Sequence, residues 1–250
     1  TSHDLGQNFA KVFGVKFLDK NGNEQYVWQT SWGVSTRLIG ALIMVHGDDK
    51  GIIVPPRIAP TCIAFVPIWK NSEKKVKTIE TAKKLAKTIS NFSFVIDDRD
   101  LRPAWRYYEW ERKGVPLRVE IGPRDVENNQ AVLVRRDTGE KITVSQDEFA
   151  VRIAEILKSI QQNLYNRAKQ FRDKNTHNVK SWDEFQKVVE QQGGFICTEW
   201  CGLVECETEI KNSTKATVRC IIPFEENEKH GICVHCGRPS RYKVFFAQSY

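Results

Sequence analysis

The sequence predicts a multidomain protein of mixed α/β and α+β class, and three observations carry that assignment. Short β-rich stretches at the front surround one apolar segment of helical length; strands and amphipathic helices alternate through the middle; six of the seven cysteines crowd into the last quarter of 250 residues. A chain of this length has room for two or three compact units.

Taken in order, "VKFLD", "QYVWQTSW" and "GIIVPP" are strand-like and flank "STRLIGALIMVHG", which is expected as a buried helix among antiparallel strands. Pro55, Pro56 and Pro60 punctuate the chain before "CIAFVPI", a short buried strand. Val76, Ile79, Ala82, Leu85 and Ile89 then recur at helical spacing across a Lys-rich stretch. "FSFVIDD", "PLRVEIG" and "QAVLVRR" follow as strands, and "DTGEKITV" turns at Gly139 into another. A long helix after Ser145, with Glu148 completing a capping box, carries Phe149, Ile153, Ile156, Ile160 and Leu164 on one face. This order argues for helices layered on a mostly parallel or mixed sheet. Ser181 and Glu184 make a second capping box ahead of a short helix that stops at Gly193 and Gly194. The expected domains are 1–60, 61–175 and 176–250.

No apolar run approaches the roughly 20 residues that span a bilayer, so membrane insertion is set aside. Lys plus Arg number 38 against 31 Asp plus Glu, a net charge of +7 that suits a polyanionic partner without requiring one. "TSHDLGQNFA" at the front has neither an initiator Met nor a leader pattern; the expectation is a chain entered in its middle, with something upstream. An ordinary core and no export signal favour reduced thiols over a disulfide framework, and with them a cytoplasmic protein.

Reduced cysteines in close pairs point to a structural metal site, because four thiolates close a tetrahedral zinc shell when two turns each supply two. "CVHC" at Cys233 to Cys236, followed by Gly237, is one such pair. For its partner Cys197, Cys201 and Cys206 compete, with Cys220, His230 and His235 also within reach. At the front, "WGVSTR" lets Gly33 turn the chain, Ser35 or Thr36 cap the next helix, and Arg37 enter its first turn, where a guanidinium beside a helix N-terminus suits phosphate oxygens. Taken bare, the pattern fits a surface ion pair as well.

"GVSTRLIGALIMVHGDDKGIIVPPRIAP" resembles motif 3 of class II aminoacyl-tRNA synthetases, and "TSHDLGQNFAKVFGVKF" the prolyl-tRNA synthetase version of the preceding segment. "RPAWRYYEWERKGVPLRVEIGPRDV" is similar to that family's anticodon-binding domain, and the likeness runs on through the cysteine region to Tyr250. The zinc-bearing end resembles the archaeal and eukaryotic-like type. The resemblance implies a remnant of the class II antiparallel sheet with the motif 3 helix, an α/β anticodon-binding domain and a small α+β zinc-binding C-terminal domain. It implies a proline–tRNA ligase that forms prolyl-adenylate from L-proline and ATP with Mg²⁺ and passes the prolyl group to tRNA-Pro, as a homodimer.

By the same resemblance His3, Trp32, Gly33 and Ser35 would take L-proline, while Thr1, Ser35 and Arg37 would contact ATP. Tyr107, Glu111 and Arg118 would read the anticodon, and Cys201, Cys206, Cys233 and Cys236 would hold Zn²⁺, leaving Cys197 to the core. The end of the chain at Tyr250 would return toward the active site. The earlier class II motifs are absent from these residues, so the 250-residue chain by itself is expected to activate no proline. The alternative reading is a non-catalytic, zinc-bearing RNA-binding protein derived from a synthetase.

Overall fold

The computed structural model describes residues 1–223 and 231–248. The chain forms two compact units, Thr1–Gln161 and Gln162–Tyr250. Among the described residues no helix is long and apolar enough to cross a membrane.

The first unit opens with strand β1 (Ser2–Gly6), helix α1 (Asn8–Phe13), β2 (Lys16–Leu18), β3 (Glu24–Tyr26), β4 (Gln29–Trp32) and α2 (Arg37–His46). β1 pairs antiparallel with β4, placing His3 opposite Ser31, and β2 pairs antiparallel with β3. The apolar segment does form a helix, but not a buried one. No residue of α2 is buried, and Met44 is 77% exposed. Two-stranded ribbons are too narrow to cover its apolar side. "GIIVPP" also departs from the strand expected of it. Gly51 closes a one-bridge turn with Asp48, Val54 donates to Gly114 O, and Pro56–Ile58 form a 3₁₀ turn; Pro55 and Pro56 have no N–H to extend a ladder.

The rest of this unit is a five-stranded mixed sheet built from β5 (Ile63–Pro67), α3 (Ser72–Lys87), β6 (Phe94–Ile96), α4 (Pro103–Arg112), β7 (Leu117–Ile121), α5 (Pro123–Glu127), β8 (Gln130–Arg135) and β9 (Lys141–Ser145). Strand order is β6-β5-β7-β8-β9, with β6, β5 and β7 parallel and β7, β8 and β9 antiparallel. The central strand β5 runs apolar because both of its faces are covered, and every one of its residues is buried. α3 buries Thr78, Ala82, Leu85 and Ala86, while Val76 lies open, so its stripe is rotated from the purely apolar one.

α4 is fastened to the sheet through Asp97. Arg99 donates from Nε (2.9 Å) and Nη2 (2.8 Å) to its carboxylate, Trp110 Nε1 donates to it at 2.8 Å, and Arg106 Nη1 donates to its carbonyl at 2.7 Å. Glu109 in turn takes Arg99 and Lys113.

The long helix is α6 (Phe149–Lys174), and its five predicted inward residues are all buried. It has no capping box: Ser145 ends β9, and its Oγ accepts from Asp147 N in a local turn, leaving Glu148 outside the helix.

The second unit adds β10 (Thr176–Asn178), α7 (Trp182–Gln191), β11 (Phe195–Trp200), α8 (Val204–Thr214), β12 (Ala216–Ile222) and β13 (Tyr242–Gln248). The sheet order is β10-β11-β13-β12, antiparallel except for β10 against β11. Ser181 caps α7 by accepting from Glu184 N, while the Glu184 carboxylate takes Lys180 N in place of Ser181 N. Phe185, Ile196, Trp200, Ile210, Val244 and Phe246 form the core. His230 and Tyr250, with the expectations attached to them, lie outside the described residues.

Candidate functional site

The cysteines resolve into one quartet and separate residues elsewhere. β11 delivers Cys201, and the chain turns at Gly202, whose φ of +81° and whose closeness to Tyr242 (2.7 Å from a notional Cβ to the ring) leave no room for a side chain. That turn starts α8 and brings Cys206 round in its first turn. A second knuckle is closed by Gly237 N donating to Cys233 O at 3.1 Å and Cys233 N donating to Arg238 O at 2.8 Å. It presents Cys233 and Cys236.

The sulfurs of Cys201, Cys206, Cys233 and Cys236 lie within 4.8 Å of one another, with Cys206 to Cys233 and Cys201 to Cys236 both 3.7 Å. A tetrahedral shell with zinc–sulfur bonds of about 2.3 Å has an edge of about 3.8 Å, so this donor set fits a zinc ion. Burial pushes the Cys201 and Cys206 thiols up. Burial also works against the Cys233 thiolate, yet backbone N–H groups of Cys236, His235 and Cys201 around its sulfur bring that thiol down to about 7. Cys197 is buried on β11 outside the quartet, and Cys220 is exposed on β12.

Tyr107 and Glu111 occupy successive turns of α4, and Arg118 sits on the adjacent β7. The structure brings all three together. The Arg118 guanidinium lies 4.3 Å from the Tyr107 ring centroid, donates from Nη1 to Glu111 at 3.1 Å, and donates from Nε to Glu120 at 3.0 Å. Glu120 also receives Lys141 at 3.6 Å. Burial first, and the Glu120 carboxylate next, push the Tyr107 phenol up to about 12. The result is an aromatic ring with a nearly buried guanidinium stacked on it, the guanidinium held by two carboxylates.

Two members of this neighbourhood were missed in the sequence. Glu120 had a visible signal, since Arg118 and Glu120 alternate onto one face of a strand otherwise apolar. Arg136, which donates to Glu111 O at 3.0 Å, had none beyond its charge.

The front residues sit on the exposed ribbon and helix start. Thr1 and Gly33 join ends, with Gly33 N donating to Thr1 O at 3.0 Å and Thr1 Oγ1 to Gly33 O at 3.2 Å. Ser35 Oγ accepts from Arg37 N at 3.1 Å and so starts α2, whereas Thr36 makes no side-chain cap. His3 and Trp32 flank this corner on β1 and β4.

Comparison with known proteins gives a consistent result along the chain. Residues 63–156 match the family described as anticodon binding domain, and residues 182–250 match "Prolyl-tRNA synthetase, C-terminal". The whole chain is 47% identical to the Proline--tRNA ligase of Natranaerobius thermophilus, covering 52% of that protein. It is 47% identical to the Proline--tRNA ligase of Amoebophilus asiaticus (51% of that protein) and 49% identical to that of Oceanobacillus iheyensis (52%), in each case over the full chain. The chain thus spans about half the length of the curated relatives it matches.

Proposed function

This chain belongs to the prolyl-tRNA synthetase family, and from that premise we propose that it contributes the motif 3, tRNA-binding and zinc-bearing parts of a proline–tRNA ligase. The division 1–60, 61–175 and 176–250 corresponds to these parts, the first being the end of a class II catalytic domain. The complete enzyme joins the carboxylate of L-proline to the α-phosphorus of ATP with release of pyrophosphate. It then transfers the prolyl group to the 3′ end of tRNA-Pro with release of AMP. Such acyl transfer depends on positioning and charge neutralisation more than on acid–base help. Arg37 at the start of α2 offers its guanidinium to phosphate oxygens, with Thr1 and Ser35 beside it, and Mg²⁺ accompanies ATP. His3, Trp32, Gly33 and Ser35 shape the proline side.

The observation that carries the reading is the Tyr107, Glu111, Arg118 cluster, which stands inside the segment matched as anticodon binding. Tyr107 stacks on an unpaired base, Arg118 donates and Glu111 accepts. Cys201, Cys206, Cys233 and Cys236 hold a structural Zn²⁺ that would tie β11 and α8 to the 233–237 knuckle. The enzyme works as a cytoplasmic homodimer. The reading is tested by proline-dependent ATP–pyrophosphate exchange and by charging of tRNA-Pro with the complete protein. Exchange with another amino acid instead, or tRNA binding with no exchange at all, would replace it.

A further inference from the structure

Resting on that reading, we propose that Arg136 and Asp48 are positioning residues that couple the base-reading cluster to helix α2. Arg136 immediately follows β8, and its side chain is only 4% exposed. It makes hydrogen bonds to two separate pieces of chain, the Asp48–Gly51 turn and the end of α4. Nη1 and Nη2 donate to the two Asp48 oxygens at 2.7 and 2.6 Å, Nη2 donates to Gly51 O at 3.0 Å, and Nε donates to Glu111 O at 3.0 Å. A planar fork holding a carboxylate by two bonds and two carbonyls by one each fixes all three in distance and angle.

The backbone around this lock has no slack. A Cβ on Gly51 would stand 2.8 Å from Arg112 Cα, and one on Gly114 would stand 2.6 Å from Ile52 O. Val54 N donates to Gly114 O at 3.1 Å, completing the seam between residues 48–54 and the end of α4. On one side of the seam Glu111 holds Arg118; on the other Gly47 alone separates Asp48 from the last residue of α2. A cavity of about 130 Å³ runs along it, lined by Asp48, Glu111, Arg118 and Arg136. A shift of Glu111 on engaging a base is therefore transmitted to Asp48 and to α2, which begins with Arg37.

The experiment measures charging of tRNA-Pro and of the same tRNA with one anticodon base replaced, using the complete protein with Asp48→Ala and Arg136→Gln. Proline-dependent pyrophosphate exchange without tRNA is the companion reading. The expected result is that the preference for the native anticodon falls about tenfold while exchange is retained, and that Asp48→Glu restores the preference. A preference unchanged in Asp48→Ala overturns the proposal, as does a fall in exchange equal to the fall in charging, which marks general damage. Should Arg136→Gln fail to fold, Asp48→Ala decides, since the Asp48 carboxylate is 42% exposed and its loss empties no core. A wild-type protein that charges both tRNAs equally would sink the anticodon reading itself, which is separable because it appears before any substitution is made.

Discussion

Removing zinc from the cysteine quartet proposed to hold it should unfold most of the second unit. Two thiolates 3.7 Å apart repel by roughly 4 kcal/mol at an effective dielectric near 20, and the quartet contains two such pairs. Without a cation the sulfurs must take up protons, and four thiols do not draw two knuckles together. Structural zinc in small domains contributes apparent binding energies of about 10–16 kcal/mol, against a total stability of about 5–15 kcal/mol for a typical domain. Cys201, Cys206 and Cys233 are buried with the Phe185, Trp200 and Phe246 core, so release of the knuckle exposes that core. Calorimetry before and after a strong chelator, with metal content measured in parallel, should show the unit of residues 162–250 losing its transition and regaining it with zinc. Cys233→Ser with Cys236→Ser should reproduce the loss without chelator. A melting temperature indifferent to chelator in a sample shown to contain zinc would refute the reasoning.

Further outcomes follow from the other contacts. Tyr107→Ala removes the ring under Arg118 and should weaken tRNA-Pro binding by about 1–3 kcal/mol, about 5- to 150-fold by filter binding, while pyrophosphate exchange stays. Gly114→Ala forces a side chain to φ +73° and against Ile52 and Val54; thermal denaturation should show a loss of about 2–4 kcal/mol in the first unit. Asp48 is held at about 2 by the Arg136 guanidinium, below its ordinary 3.8. Its contribution is therefore full above about pH 4 and is lost as pH falls through about 2. Acid unfolding monitored by circular dichroism should show Asp48→Asn closing the gap to wild type over that window.

Much of the fold was legible because it is local. The five inward residues of α6 follow from a 3.6-residue period, and the strands β5, β7 and β8 follow from apolar runs bounded by turns. α2 was misjudged because periodicity reports an apolar side but not what covers it, and here narrow ribbons cover none of it. Ser145 shows the limit of capping signals: its hydroxyl satisfies Asp147 N at a strand end, and the pattern survives without the helix. In the quartet, spacing left Cys197, Cys201 and Cys206 in competition; only β11 carrying Cys197 away from the knuckle, with Gly202 turning Cys201 back, separates them. The Arg136 to Asp48 pair spans 88 positions and joins two charged residues among many, so no local pattern could announce it.

The function proposed for these residues is to serve a ligase specific for proline and its tRNA. Its most direct test is proline-dependent ATP–pyrophosphate exchange by the complete protein, run across amino acids and followed by charging of tRNA-Pro. The expected result is exchange with proline far above any other amino acid and prolylation that depends on the anticodon. Exchange driven by a different amino acid, or none with any of them while tRNA-Pro still binds, would contradict it.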